Sequence, residues 1–274
     1  MSSSPSLPVA LTIAGSDSSS GAGMQADLKA FAAHGVYGLC AVTSVVAEIP
    51  GRVVAWEPVD PTLLGQQLNT VASGFPIAAA KTGMLATPEL VGETCDFLWK
   101  HRGAFPVVVD PVMVASSGDS LVDDEAVAVY RTKLLPLAAL ATPNLAEARA
   151  MLERDIDSLD SMDEAAREWF EAFGTPVVVK GGHLDTGDRA AAVDVFWDGE
   201  SLAHFSAERV PGVDTHGTGC TFSAAVAANL ARGRGLSESV ERAKRYITAA
   251  LRQSYRWTSP EPITALNHFP EGVS

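Results

Sequence analysis

The stretch VALTIAGSDSSSGAGMQADLKAFAAHG, residues 9–35, decides how the rest of this chain is read. Residues 9–14 form an apolar run that stops at Gly15, the pattern of a buried strand. Residues 15–23 are small and hydroxyl-bearing and predict a turn. From about Ala22 the pattern turns helical, with Met24, Leu28 and Phe31 on one face and Gly35 placed to end it. Residues 37–47 return to β-rich character through Val42, Thr43, Val45 and Val46. Strand, turn, helix and strand in that order make the repeating unit of a parallel sheet covered by helices.

The alternation continues along the chain. A helix is expected at 61–71 with Leu63, Leu64 and Leu68 inward. A strand at 77–80 runs into Lys81, Thr82, Gly83 and Met84, and a helix spans 88–100. A strand at 106–109 ends in Asp110-Pro111, and a helix covers 123–135. A brief strand at 140–141 leads to Thr142-Pro143-Asn144 and a helix at 146–152, and an amphipathic helix lies at 162–173. The strand at 176–179 ends in Lys180-Gly181-Gly182-His183. Strands at 191–197 and 201–208, split by Asp198-Gly199-Glu200, predict an antiparallel hairpin. A small-residue helix then follows Gly219, and a last helix spans 236–255. No linker or repeat divides the chain. The expectation is a flexible N-terminus at 1–8 and one α/β domain at 9–274.

Composition narrows the function classes. The chain has 274 residues, 47% hydrophobic and 19% charged, enough for a sizeable core. A net charge of −13 argues against nucleic acid or an anionic membrane as the main partner. Any phosphate site must therefore be built locally. Cys40, Cys95 and Cys220 are scattered, without metal-ligand spacing, so reduced cytoplasmic thiols are expected. No apolar run reaches the ~18 residues of a membrane span, and the N-terminus lacks the pattern of a signal peptide.

In a parallel sheet the ligand crevice lies beyond the carboxyl ends of the strands. The polar residues that follow each expected strand should therefore converge there. The stretch DTHGTGCTFSAAVAAN, residues 214–229, supplies a glycine turn running into a helix N-terminus. Unpaired N–H groups and the positive helix end make an anion site of Gly217, Thr218 and Gly219, with Cys220 just inside it. Close packing alone also explains such glycines. Asp110 and Glu147 are carboxylates suited to Mg²⁺, and Lys180 is a cation at a strand end. The plainer readings are a turn residue for Asp110, a first-turn helix acid for Glu147 and a snorkelling lysine for Lys180.

The phrases LTIAGSDSSSGAGMQADLKAF, KTGML, DPVMVASSGDSL, TPNLAEA, VVVKGGH and DTHGTGCTFSAAVAANLA occur in this order. Together they resemble the hydroxymethylpyrimidine/phosphomethylpyrimidine kinases of thiamin biosynthesis, a branch of the ribokinase-like superfamily. A weaker echo follows at Leu266-Asn267-His268-Phe269. The resemblance implies a single-domain three-layer α/β fold, with a mostly parallel central sheet and helices on both faces. It implies ATP and Mg²⁺, phosphorylation of 4-amino-5-hydroxymethyl-2-methylpyrimidine and then of its monophosphate, and a homodimer. By position it makes Gly217, Thr218 and Gly219 the anion hole. Cys220 takes the place of a catalytic base, Lys180 contacts phosphate, and Asp110 with Glu147 serves the metal. Gly15, Ala22, Asp27, Met84 and Val112 fall where the pyrimidine pocket is lined. A thiol at a helix N-terminus is expected to have a lowered pKa.

One position departs from that family. Where the thiamin kinases commonly carry Gln-Asn-Thr, this chain has Glu48-Ile49-Pro50. A glutamine both donates and accepts, whereas an ionised Glu48 only accepts. It therefore matches an aminopyrimidine only with a protonated ring nitrogen, or it marks a related substrate. A pyridoxal or pyridoxine kinase and a non-catalytic pyrimidine-binding relative are the alternatives. Residues 116–120 form a candidate lid, and the region 210–216 with the final helix is the candidate adenine wall.

Overall fold

The computed structural model describes residues 7–113, 124–182, 184, 191–213, 216–258, 260 and 262–272. The candidate lid, His183, Asp214 and Thr215 lie outside the described residues. In chain order the elements are β1 (Val9–Asp17), α1 (Gly23–Ala33), β2 (Tyr37–Ile49), β3 (Arg52–Pro58), α2 (Pro61–Gly74), β4 (Ile77–Thr82) and α3 (Pro88–Lys100). Then come β5 (Val107–Val109), α4 (Asp124–Val129), β6 (Leu140–Ala141), α5 (Leu145–Leu152), α6 (Leu159–Phe173) and β7 (Val177–Lys180). The chain closes with β8 (Ala191–Trp197), β9 (Leu202–Glu208), α7 (Thr218–Ala231), α8 (Leu236–Arg252), β10 (Tyr255–Trp257) and β11 (Ile263–Ala265).

Nine strands form one sheet in the order β3-β2-β1-β4-β5-β6-β7-β8-β9. Every pair from β2 to β7 runs parallel, and antiparallel strands close both edges. The inner parallel strands β1, β4, β5, β6 and β7 are buried on both faces, which is why they read as unbroken runs such as Val107-Val108-Val109 rather than as alternation, while β2 beside the edge is partly exposed. One face is covered by α2, α3, α5 and α6 through residues such as Leu64, Leu90, Met151 and Trp169. The other is covered by α1, α7 and α8 through Phe31, Ala224 and Tyr246. These layers are the three-layer α/β arrangement expected.

The differences from the sequence reading have local causes. β3 has no buried residue, so despite Val53, Val54 and Trp56 it shows no inward-outward alternation that would mark a strand. Leu63 is 48% exposed, not inward. Leu64 and Leu68 stand one turn apart and hold the buried stripe, which leaves Leu63 about 100° round the helix. The expected helix at 123–135 stops being α-helical at Val129. A π turn (Tyr130–Leu134) and a 3₁₀ turn (Leu135–Leu137) follow, where Pro136 removes a backbone donor.

α7 is buried on every side from Thr221 to Ala231, because its small residues admit the sheet, α1 and α8 at close range. The C-terminal segment holds it in place. Thr221 Oγ1 and His268 Nε2 are hydrogen-bonded at 3.1 Å, and the Tyr246 hydroxyl donates to the His268 carbonyl at 2.7 Å. Burial, with help from Lys29, pushes the His268 pKa down from 6.5 to about 4. The unfolded chain therefore takes up a proton that the folded chain refuses. The His268 contribution to stability should be constant above pH 6.5 and fall between 6.5 and 4. The loss should reach roughly 3 kcal/mol. Urea unfolding of the wild type and of His268→Asn should isolate it, the stability difference between the two changing by that amount across the window while the opposite slope of Glu147 is common to both.

Candidate active site

Loops from several strand ends meet at the carboxyl edge of the sheet. Asp17, the last residue of β1, organises the first. Its Oδ1 accepts the Ser19 N–H at 2.6 Å, and its Oδ2 accepts the Ala22 N–H at 2.7 Å and the Ser19 hydroxyl at 3.0 Å. His216 Nε2 lies 3.1 Å from the same oxygen. Burial opposes the charge, but the bonds from His216, Ala22 and Ser19 hold the Asp17 pKa near 2. The carboxylate thus ties the 17–22 loop to the residue just before the glycine turn of α7.

Glycine is required in that turn. Gly217 has φ of +77°, and a Cβ there would lie 1.9 Å from the Gly21 carbonyl oxygen. The two loops touch backbone to backbone, so no side chain fits between them. At Gly219 a Cβ would lie 3.1 Å from Lys180 Nζ and 3.7 Å from Asp110 Oδ2. The missing side chain leaves the helix N-terminus open toward that ion pair.

Asp110 follows β5 and is almost wholly buried. Its Oδ1 accepts from Lys180 Nζ and Thr142 Oγ1, each at 3.0 Å, and its Oδ2 accepts from Ser223 Oγ at 3.2 Å. Burial opposes its charge, yet Lys180 and Lys81 bring its pKa below the ordinary carboxylate value. Lys180 is held in the same way, since burial works against it while Asp110 and Glu147 raise its pKa. Its backbone N–H donates to Pro143, and the turn beyond it is fixed by the Gly181 N–H donating to Asp194, itself paired with Lys244. Glu147 is the first-turn helix acid of the plainer reading. It makes a capping box with Asn144, with Asn144 N–H donating to Glu147 Oε2 at 2.7 Å. It also lies within the field of Lys180 and Asp110. Burial first, and Asp110 second, push its pKa up to about 7 against the pull of Lys180.

Asp27 does not have the setting expected of a pocket-lining residue. It is fully buried beneath the loop, with both oxygens 2.9 Å from Lys81 Nζ and Oδ2 accepting from Thr12 Oγ1 at 2.6 Å. Gly15 and Met84 do adjoin, a Cβ on Gly15 falling 3.9 Å from Met84 Sδ. Ala22, at the N-cap of α1, and Val112, just beyond β5, are half-buried. Glu48 is joined to the first loop through Ser18, whose hydroxyl donates to the Glu48 carbonyl at 2.9 Å and accepts its N–H at 3.0 Å. Polar atoms of Glu48, Asp17 and His216 all lie within 4.8 Å of one another. Burial and Asp17 raise the Glu48 pKa, while His216 opposes them.

Cys220 overturns one expectation. Its pKa is pushed up to about 11, not lowered, because burial and the carboxylates of Asp27 and Asp110 outweigh Lys81 and the Gly23 N–H. The resting residue is a thiol. Sequence reasoning gave no role of their own to Lys81, Thr142, Ser223 or Asp17, and placed His216 only in the candidate adenine wall. For Lys81 a signal existed, since it ends an apolar strand just as Lys180 does.

A family model described as phosphomethylpyrimidine kinase matches residues 17–262. A hydroxymethylpyrimidine/phosphomethylpyrimidine kinase of Rhizobium meliloti is 42% identical over 262 residues, covering 95% of this chain and 97% of that protein. A thiamine biosynthesis bifunctional protein of Geobacter sulfurreducens is 44% identical over 88% of this chain, which spans only 49% of that longer protein. Among solved structures, an ADP complex of Bacillus subtilis pyridoxal kinase superposes with a TM-score of 0.85 at 38% identity, covering 95% of this chain and 98% of that one. The chain belongs to the phosphomethylpyrimidine kinase family and is a kinase.

The two glycines should respond differently to substitution. Gly217→Ala forces a backbone collision and a left-handed alanine, so it should lower the melting temperature as well as activity. Gly219→Ala should leave thermal unfolding nearly unchanged and cost about tenfold or more in kcat/KM, since its methyl faces only Lys180 and Asp110. Melting curves and steady-state kinetics of both variants check this.

Proposed function

We propose that this member of the family transfers the γ-phosphoryl group of ATP to the hydroxymethyl group of 4-amino-5-hydroxymethyl-2-methylpyrimidine, and then phosphorylates the monophosphate, in thiamin biosynthesis. The observation that carries this reading is the buried Asp110–Lys180 pair facing the side-chain-free Gly219 at the N-terminus of α7. A site for transferred phosphate needs a cation and N–H donors kept out of water, and this arrangement supports both.

The oxygen donors of Asp110 and Glu147 suit Mg²⁺, a hard cation. When bound with ATP it would offset phosphate charge. Lys180 has three ammonium donors and can bind a phosphate oxygen while keeping its bond to Asp110. Gly217, Thr218 and Gly219 present N–H groups to the oxygens of the moving phosphoryl. Cys220 orients the acceptor hydroxyl. As a thiol in the resting protein it accepts a proton only in the fraction of molecules where it has ionised, so its share in deprotonation grows with pH. Cys220→Ala should lower kcat by about 100-fold or more, and near-normal turnover would end this role.

Gly15, Ala22, Met84, Val112 and Glu48 are proposed to line the ring pocket, with Asp27 acting from below through Lys81. Glu48 beside Asp17 draws one proton into the recognition edge. The proton sits on the ring nitrogen or on Glu48 itself, which then donates and accepts as a glutamine does. Either placement makes binding tighten as pH falls. KM for the pyrimidine should drop on acidification, and Glu48→Gln should remove that dependence. A panel of ring alcohols with Mg·ATP, scored for monophosphate and diphosphate with pyridoxal as competitor, tests the substrate. Preference for pyridoxal would replace the pyrimidine reading.

A cytoplasmic homodimer completes the proposal. No helix among the described residues is long and apolar enough to cross a membrane. The β2–β3 edge exposes Val45, Val54 and Trp56, which supports pairing with a second copy.

A further inference from the structure

Lys81 and Asp27 form an ion pair with no exposed side-chain surface, in the layer between the sheet and α7. Lys81 is the penultimate residue of β4, whose residues alternate faces. Ala79 belongs to the α7 side of the core and Ala80 to the other, so Lys81 points toward α1 and α7. Asp27 and Gly23 stand four apart on one face of α1. The carboxylate of Asp27 meets Lys81, and the N–H of Gly23 meets the Cys220 side chain. Gly217, the N-cap of α7, meets Gly21 and Ala22 at the start of α1, so the thiol lies where the two helix N-termini converge, about one turn of α1 from Asp27. A methyl on Gly83 would come within 3.0 Å of Lys81 Nζ, so the ammonium is enclosed from the β4 side as well.

We propose that Lys81 is a positioning residue of the phosphoryl-transfer site, a buried cation anchored by Asp27 that steadies negative charge at Cys220. This rests on the reading of Cys220 as the neighbour of the acceptor hydroxyl. Four charged groups act on the thiol: Lys81 from β4, Asp27 from α1, Asp110 beyond β5 and Lys180 at the end of β7. Lys180 is the cation that also faces phosphate, whereas Lys81 has no surface from which to touch a substrate. Its contribution must pass through the thiol and through the placement of Asp27. Removing the cation favours the neutral thiol, and removing its carboxylate partner favours the thiolate. The two substitutions thus have opposite signs, which loss of a merely structural pair does not produce.

The test measures the thiol directly, without substrate. In a Cys40→Ala, Cys95→Ala background only Cys220 reacts with iodoacetamide, and Cys220 is partly exposed. The alkylation rate is followed against pH. Lys81→Met should move the midpoint to higher pH, and Asp27→Asn should move it to lower pH. A shift of one unit would change the rate near pH ~9 about tenfold. Asp27→Asn keeps an oxygen acceptor for Lys81 and for Thr12, so it decides the matter alone if Lys81→Met fails to fold. A midpoint that stays put in folded Asp27→Asn, or moves upward, overturns the proposal. The kcat–pH profile of the same variants is then compared with the alkylation curves. A profile that tracks the thiol supports both readings. A thiol that moves without the profile leaves the Lys81 coupling standing and removes the proton-handling role of Cys220.

Discussion

Asp110 and Lys180, 3.0 Å apart and nearly removed from water, come from strand ends that are far apart in sequence. Neither charge is tolerable in that position without the other. Breaking such a pair costs roughly 3–5 kcal/mol, because the survivor is left buried and unpaired. The pair therefore forms only once β5, β6 and β7 are aligned in parallel, and it requires the close packing of α7 that brings Ser223 onto Asp110. A hydrophobic pair would fill that volume at least as favourably. What the ion pair secures is position, a cation and a carboxylate facing the open end of a helix.

The second pair, Lys81 with Asp27, applies the same constraint one layer deeper. Both pairs lie on the side of the sheet covered by α7, whose small side chains allow the close approach and whose first turn is shaped by Gly217 and Gly219. The first loop reaches this turn through Asp17 and His216, and the Glu48 strand end reaches the loop through Ser18. A displacement at any of these contacts is transmitted to the helix N-terminus. That continuity is why residues with no direct part in the proposed reaction have a say in its geometry.

Local and global electrostatics compete at Cys220 and Glu147. A helix N-terminus favours an anion at each, through α7 and α5 respectively. Burial and neighbouring carboxylates win in both cases, leaving a thiol and a carboxyl group poised near neutrality. The dipole of a single helix end is worth at most ~2 kcal/mol, less than the loss of water around a buried charge. At Asp17 the balance goes the other way, since hydrogen bonds from His216, Ala22 and Ser19 converge on one carboxylate.

The sequence by itself determined the layer architecture, because hydrophobic periodicity is a local property. α3 (Pro88–Lys100) and β6 (Leu140–Ala141) could be read to the residue, α3 between Thr87 and its terminal lysine. Ordered polar phrases after the strands also located the rim, including Asp110, Lys180, Gly217 and Gly219. β3, β10 and β11 escaped, being short or exposed strands whose only support is a partner distant or antiparallel in space. The tertiary structure alone decided which charges are paired. That Asp27 turns inward to Lys81, that His216 binds Asp17 and that the Cys220 pKa rises all depend on burial and on neighbours up to 199 positions away. Desolvation is the sum over everything that surrounds a group, and no window of sequence contains that sum.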